Sequence, residues 1–311
     1  MMHSETLEAI KRSAAVPSMP MVAARCQEMT NDPDCSYDKL VELLGTDPGI
    51  AADILRLSNS ALFGVTRQVG SLKQAITLLG MKRVRDLVMA RYLAQQIDQI
   101  RTDLIDVDYY WRRSLTTGIL ASKFADTLAP RQRDEVFIGG LLADVGVVVL
   151  ARALPKQYAS IAAQYRPHAS DDWIQGEYSL MGVTHGDVSA MVLEQWNLPA
   201  ELVEAVRYHD ASAADIPADC AGAALSRIIG GAGTIARILC EANEPDAAVK
   251  ACADGMERVE LDISVLVNAL SDVEQDIGQM AELLGIEVIN SKVFSLISQR
   301  LIESLGSACG S

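Results

Sequence analysis

The stretch from residue 134 to residue 150 is the strongest indication of the fold of this chain. From residue 137 to residue 152 the chain reads FIGGLLADVGVVVLAR, and apolar side chains fall on nearly every side of this stretch when it is drawn as a helix. A helix that is apolar all round lies in the interior of a domain, because no face of it is suited to water. The sequence therefore predicts one central buried helix with other helices packed around it.

Helical periodicity continues through the rest of the chain. Apolar residues recur three and four positions apart, which is the spacing of one helix face. Asp47-Pro48 and Ser71 are typical helix starts, while Gly64 and Gly80 are typical helix ends. No long stretch alternates apolar and polar residues as a half-buried strand would. These patterns predict an all-α fold.

Composition narrows the possible partners. The formal net charge is −14 and half of the residues (50%) are hydrophobic, so a well-buried core is expected and a broad phosphate-binding face is not. The six cysteines form no CxxC pair and are predicted to be reduced thiols. The chain has no run of eighteen apolar residues, and its first residues are too charged for a signal peptide. We expect a cytoplasmic protein that binds neither membrane nor nucleic acid.

The segment from Leu72 to Arg91 is open to two interpretations. Gly80 divides two short helices, as in a helix-turn-helix DNA-binding motif, and four basic residues follow it, Lys82, Arg83, Arg85 and Arg91. The alternative, which the acidic balance of the chain favours, is that its apolar residues face a core and its charges are solvated. The apolar residues concerned are Leu78, Leu79, Val84, Leu87 and Val88.

A set of residues in the first third of the chain carries a family resemblance. Its members are Asp47-Pro48, Leu55, Arg56, Asn59-Ser60, Phe63-Gly64, Ile76 and Leu79-Gly80. In identity and order this set resembles the HDOD domain, an all-helical relative of the HD-domain metal phosphohydrolases that occurs mostly in bacterial signalling proteins. The resemblance extends from about Val16 to about Cys240.

The resemblance implies a multi-helix HD-like bundle with an additional N-terminal helical subdomain and a helical C-terminal extension. We expect an N-terminal helix in residues 1–15, the HDOD domain in 16–215 and the extension, packed on that domain, in 216–311. The extension contains Gly230, Gly231 and Gly233, which lack the preceding strand of a dinucleotide-binding loop and predict close helix packing instead.

An active HD phosphohydrolase holds its metal with an early histidine, an adjacent His-Asp pair, further histidines in some subfamilies and a late aspartate. The resemblance places Arg113 at the early histidine and Ala143-Asp144 at the pair. His185 and His209 match histidines of related domains. We expect no bound metal and no cofactor, because a guanidinium opposes a divalent cation and a methyl group offers no ligand. Arg113 can instead form an internal salt bridge with Asp144.

Each surviving residue of this vestigial site has two interpretations. Asp144 can be a structural partner or a ligand, and His185 and His209 each lie on an apolar stripe where a core histidine is the simpler explanation. A small nucleotide-like ligand would need cations, and the first candidates are Arg112, Arg113 and Arg131, since guanidinium groups suit phosphate. These arginines are equally explained as solvated surface residues.

The sequence thus favours a non-catalytic HDOD signalling or regulatory module that acts through protein partners or a small ligand, and not an enzyme. Two alternatives stay open. One is a metal-dependent phosphohydrolase or cyclic-dinucleotide phosphodiesterase with a rearranged ligand set. The other is a helical dimerisation scaffold, a homodimer, which would use the apolar stripe from Ile263 to Leu284.

Overall fold

The computed structural model describes residues 2–32, 34–59, 68–99, 102–162, 173–212, 214–241, 252, 255–256, 259–286, 288, 296, 299–300 and 302–303. Over these residues the secondary structure is helical and contains no strand, which confirms the all-α prediction. The helix end predicted at Gly64, together with Ser60 and Phe63 of the HDOD-like set, lies outside the described residues.

The chain divides into two compact units. The smaller unit comprises Pro17–Gln99 and Gly278–Glu287, and the larger comprises Met1–Val16, Ile100–Ile277 and Val288–Ser311. The segments predicted from the sequence, 1–15, 16–215 and 216–311, stay a prediction.

Two helices of the smaller unit begin at capping residues that the sequence indicates. Asp47 Oδ1 accepts hydrogen bonds from the amides of Gly49 and Ile50 at 3.0 and 3.1 Å, and Ser71 Oγ accepts one from the amide of Gln74 at 3.2 Å. The helices are α2 (Met21–Asn31), α3 (Tyr37–Gly45), α4 (Pro48–Ser58), α5 (Leu72–Leu79) and α6 (Met81–Gln99).

The apolar residues of the α5–α6 pair mainly pack into a core. Four of the five apolar residues assigned to the core are buried, whereas Leu78 is 51% exposed. Arg85, which we expected in solvent, is also buried, with Nε 2.8 Å from Asp86 Oδ1. An arginine held by a buried carboxylate in this way is not available to a phosphate backbone, so the packing interpretation is favoured over DNA binding.

The larger unit is organised around a helix that the sequence did not single out as central. In α7 (Val107–Leu128), most residues between Tyr109 and Ala125 are buried, and this helix packs most extensively on α8 and α14. The other helices of the unit are α1 (Met2–Lys11), α8 (Arg133–Leu142), α9 (Val145–Ala153), α10 (Pro155–Ala162), α11 (Trp173–Met181), α12 (His185–Gln195), α13 (Ala200–Arg207), α14 (Ala223–Glu241) and α15 (Ile263–Leu270). Helix α16 (Val273–Leu284) contributes residues to both units.

The apolar stretch 134–150 is buried as predicted, but it is not one helix. It forms α8 and α9, separated at Ala143-Asp144, where Asp144 has φ −94° and ψ 10°. Ser189 of α12 bridges the break, since its Oγ donates to the Ala143 carbonyl at 2.6 Å and accepts from the Gly146 amide at 2.8 Å. A tertiary contact therefore replaces the backbone bonds that one continuous helix would have made.

Close packing explains two of the three glycines of α14. A Cβ on Gly230 would clash with the carbonyl oxygen of His209, and one on Gly231 would clash with the side chain of Val259. The packing interpretation therefore holds for Gly230 and Gly231, whereas a Cβ on Gly233 would make only ordinary contacts with Thr117. Gly230 lies directly behind His209.

Two apolar stretches are long enough to cross a membrane by length and composition, Pro130–Ala153 and Ala223–Cys240. The first is 89% buried inside the fold and interrupted at Asp144, and the second is 50% buried. The first stretch is accounted for as core helices of the larger unit. The cytoplasmic location stays a prediction.

Candidate functional site

Four side chains with metal-ligating groups meet in the larger unit. Asp144 lies at the break between α8 and α9, His185 is the first residue of α12, and His209 and Asp210 follow α13. One ligand atom from each lies within 4.8 Å of those of the others. We call these four residues the buried cluster, although Asp210 is its exposed member, with 27% of its side chain accessible.

Because Asp144 lies at the break between α8 and α9, its side chain faces α12. A Cβ on Gly146 would clash with the carbonyl oxygen of His185, so α9 and α12 approach each other closely at this point. Thr184 begins α12 with a capping box, in which its side chain and that of Asp187 each bond the other's backbone amide. The start of α12, and with it the backbone of His185, is thereby fixed against the break.

Asp144 divides its two oxygens between different partners. Its Oδ2 lies 3.1 Å from Nε of Arg113, and both side chains are buried. Its Oδ1 lies 3.5 Å from Nε2 of His209 and 3.7 Å from Nε2 of His185. The internal salt bridge between Arg113 and Asp144 that the sequence suggested is therefore present in the structure.

Asp210 closes the cluster from the solvent side. Its Oδ2 lies 2.9 Å from Nε2 of His185 and 3.2 Å from Nε2 of His209. Each imidazole thus directs Nε2 at two carboxylates, and the two rings stand edge to face with centroids 5.2 Å apart.

The opposite nitrogen of each imidazole is held by a separate acceptor. Nδ1 of His209 lies 2.7 Å from the carbonyl oxygen of Val206, which can only accept, so this nitrogen carries the hydrogen. Nδ1 of His185 lies 2.8 Å from Oε2 of Glu177, a residue of α11 that is completely buried. A histidine that binds a metal through Nε2 commonly has its Nδ1 held by such an acceptor.

Burial and neighbouring charges act in opposite directions on the pKa values of this site. Burial favours the neutral form of Asp144, but Arg113 and the two imidazoles outweigh it and hold the pKa of Asp144 below its ordinary value. Burial likewise lowers the pKa of His185, but the carboxylates of Glu177 and Asp210 outweigh it and raise this pKa to about 10.

Burial and neighbouring charges also act in opposite directions on the pKa values of His209 and Asp210. Burial lowers the pKa of His209, yet Asp210 and Asp144 raise it overall to about 9. Burial raises the pKa of Asp210, and the two imidazoles reverse this, so that it lies well below its ordinary value. The pKa values of the two imidazoles are thus raised and those of the two aspartates are lowered, which favours the charged form of all four groups near neutral pH.

The donor set fits one divalent cation. Two imidazole nitrogens with two carboxylates are a mixed nitrogen and oxygen set that suits zinc, iron or manganese. One such ion with two neutral imidazoles carries the same charge as two protonated imidazoles, so the balance of the site would be kept. Asp144, His185, His209 and Asp210 are the residues that would hold it.

The same set does not fit two ions. Two-metal sites keep their ions about 3.5–4 Å apart and need ligands on both sides. The second oxygen of Asp144 faces the guanidinium of Arg113, whose permanent positive charge would repel another cation. Ala143 offers only a methyl group beside it.

The three arginines proposed for a phosphate are not brought together. Arg112 is buried with NH1 3.1 Å from Oε1 of Glu274, and Arg113 is engaged by Asp144. Arg131 is exposed just beyond the C-terminal end of α7, while Arg112 lies in the second turn of that helix. At about 1.5 Å per residue the two are separated by more than 20 Å along the helix. One phosphate cannot bridge them.

Glu177 and Ser189 are the residues of this site that the sequence did not indicate. Neither lies in a motif, and a lone glutamate in the pattern of α11 carries no signal of burial. Asp210 was visible as the neighbour of His209, but only the fold shows that it contacts both imidazoles.

An all-helical bundle that gathers histidine and aspartate side chains from separate helices at one buried point is of the HD-like class. The model of the HDOD domain family matches residues 16–212, more than half of the chain, and the chain belongs to this family. The resemblance recognised in the sequence is therefore confirmed.

The chain is also similar in sequence to a curated protein. An uncharacterized protein of Treponema pallidum (strain Nichols) is 26% identical over 203 residues, which cover 62% of this chain and 37% of that protein. The chain thus spans little more than a third of that relative's length.

Solved structures show the same fold. An HDOD domain protein with unknown function from Geobacter sulfurreducens superposes with a TM-score of 0.65 at 19% identity, covering 90% of this chain and 98% of its own. A protein from Shewanella amazonensis SB2B with the provisional name phosphohydrolase gives 0.66 at 20% identity, covering 97% and 100%. At these identities the likeness concerns the fold alone.

Proposed function

We propose that this chain is an HDOD regulatory module that acts through protein partners or a small ligand and does not hydrolyse phosphate esters. One observation carries the proposal, the ion pair between Arg113 and Asp144. The guanidinium stands where the resemblance places a metal-ligating histidine, and it occupies one oxygen of the carboxylate that remains.

The physical reason is the chemistry that metal-dependent hydrolysis requires. A metal ion must lower the pKa of a bound water and keep a position open for the substrate, and two-metal hydrolases stabilise both the attacking and the leaving oxygen. The buried cluster supplies donors for one ion, and those donors are already neutralised by each other and by Arg113. A site of this kind holds its helices together and presents no second Lewis acid.

The catalytic half of the proposal is tested by hydrolysis assays on protein purified without chelator. Bis-p-nitrophenyl phosphate and a cyclic dinucleotide would be supplied with Mn²⁺, and the Asp144→Asn variant would serve as control. We expect no turnover above that of the control with either substrate. Turnover that the wild type shows and Asp144→Asn loses would overturn the proposal.

The regulatory half is tested by affinity purification of the chain from its native host, with mass spectrometry of the proteins and small molecules that accompany it. A partner or ligand recovered in stoichiometric amount supports the proposal. Recovery of the chain alone, from cells in several growth states, would contradict it.

A metal-dependent phosphohydrolase with a rearranged ligand set is the second candidate. The convergence of Asp144, His185, His209 and Asp210 within 4.8 Å favours it. A cation bound there would act as a Lewis acid toward a phosphate oxygen. The exposed carboxylate of Asp210 marks the side from which a substrate would approach, and the hydrolysis assay separates this candidate from the first.

The dimerisation scaffold is less well supported. Six residues of its apolar stripe, Leu266, Leu270, Val273, Ile277, Met280 and Leu284, are buried within the chain itself. A stripe that is used inside one chain leaves little apolar surface for a second copy. Light scattering that shows a monomer would agree with this.

A further inference from the structure

Glu177 is buried to a degree that is rare for a carboxylate. Its exposed fraction is 0%, and it lies in α11, next to the exposed Tyr178. Placing an ionised carboxylate in the interior without partners costs several kcal/mol, and an apolar residue of similar size usually costs nothing there.

Three donors converge on the two oxygens of Glu177. Oε2 accepts a hydrogen bond from the backbone amide of His185 at 2.7 Å and lies 2.8 Å from Nδ1 of the same residue. Oε1 accepts one from the hydroxyl of Tyr158 at 3.1 Å. The amide belongs to the first residue of α12, so the carboxylate also lies at the positive end of that helix.

The arrangement fixes the imidazole of His185 at two points. The backbone and the ring are both tied to one oxygen atom, which leaves Nε2 directed at Asp144 and Asp210. The ring of His209 is held differently, by the neutral carbonyl of Val206. A carboxylate acceptor increases the electron density of an imidazole more than a carbonyl does, so the two histidines are not equivalent donors.

We propose that Glu177 is the positioning residue of the buried cluster. Glu177 holds His185 with Nε2 facing the two aspartates, and it makes His185 a stronger donor toward a divalent cation than His209. The proposal goes beyond the proposed function, since it holds whether or not the chain hydrolyses anything. Tyr158 has a subsidiary part, because it holds the oxygen of Glu177 that does not touch His185.

The principal variant is Glu177→Gln, which keeps the size of the side chain and removes its charge. Zn²⁺ affinity, measured by calorimetry on the metal-free protein, should fall by about 10–100-fold, the effect usual for loss of an acceptor behind a ligating histidine. Tyr158→Phe keeps the contact with His185 and should lower the affinity much less. Glu28→Gln, at an exposed glutamate of α2, should leave it unchanged.

A spectroscopic readout separates positioning from a general loss of packing. In protein labelled with ¹⁵N-histidine, the Nδ1–H signal of His185 should lie downfield and exchange slowly with solvent. In Glu177→Gln it should move upfield and exchange faster, while the Nδ1–H signal of His209 stays in place. An unchanged His185 signal, or equal changes at both histidines, would overturn the proposal.

The wild-type protein supplies a test that does not require the variant to fold. The Nδ1–H signal of His185 should lie downfield of that of His209, because the acceptor of the first is a carboxylate and that of the second is a backbone carbonyl. The reverse order would overturn the positioning claim. Failure of the wild type to bind Zn²⁺ at all would overturn the claim about the divalent cation.

Discussion

Replacing Arg113 with methionine removes the guanidinium and keeps a side chain of similar reach. The side chains of Arg113 and Asp144 are only 7% and 6% exposed, so the variant leaves a buried carboxylate without its closest cation. Removing one partner of a buried ion pair costs about 3–5 kcal/mol. The two imidazoles beside Asp144 offset part of this, so we expect about 3 kcal/mol in the free energy of unfolding.

The assay is urea denaturation followed by circular dichroism, with Arg133→Met as the matched control. Arg133 forms an ion pair of similar length with Asp126, at 2.9 Å, but with side chains 25% and 55% exposed. An exposed pair contributes about 0–1 kcal/mol, so the control should change stability little.

The carboxylate itself provides a second check. Adding Asp144→Asn to Arg113→Met removes the uncompensated charge, and the two changes should be non-additive by at least about 1 kcal/mol. A cost of Arg113→Met no greater than that of Arg133→Met, or simple additivity of the two changes at the buried pair, would show that this ion pair does not stabilise the fold as we expect.

Three further predictions concern the same site. Stability should be greatest between about pH 4.5 and pH 6.5, which melting temperatures across pH would show. The contribution of Asp144 is lost as the pH falls through its lowered pKa. The contribution of the imidazoles is lost as the pH rises toward their raised pKa values of about 9 for His209 and about 10 for His185. Ser189→Ala should lower stability by about 1–3 kcal/mol in denaturant titrations, because two backbone groups at the α8–α9 break lose their partner, whereas Ser160→Ala on an exposed helix end should not. Gly230→Ala should shift the NMR signals of His209 and lower the melting temperature, while Gly278→Ala, where a Cβ meets nothing, should do neither.

Local chemistry was enough to predict the class of fold and several helix ends. Asp47 and Ser71 cap the helices that their side chains indicate, because a cap depends only on residues within the next turn. Burial of the stretch 134–150 followed from its composition in the same way. These predictions succeed since the information lies within a few residues of the feature.

The break at Ala143-Asp144 could not be predicted by the same reasoning. Nothing in FIGGLLADVGVVVLAR marks a helix end, and the hydroxyl that stabilises the break belongs to Ser189 in another helix. Glu177 was missed for a related reason, because its partners lie in α10 and α12. Arg113 and Asp144 were paired from the sequence only because the family resemblance had placed both at one site.

The number of divalent ions that one chain binds distinguishes a cluster closed to a second ion by Arg113 from a two-metal hydrolase site. Protein purified without chelator would be titrated with Mn²⁺ and analysed by inductively coupled plasma mass spectrometry after gel filtration. We expect no more than one ion per chain, because the guanidinium of Arg113 lies against the oxygen of Asp144 that a second ion would need. Two ions per wild-type chain, lost together in Asp144→Asn, would contradict it.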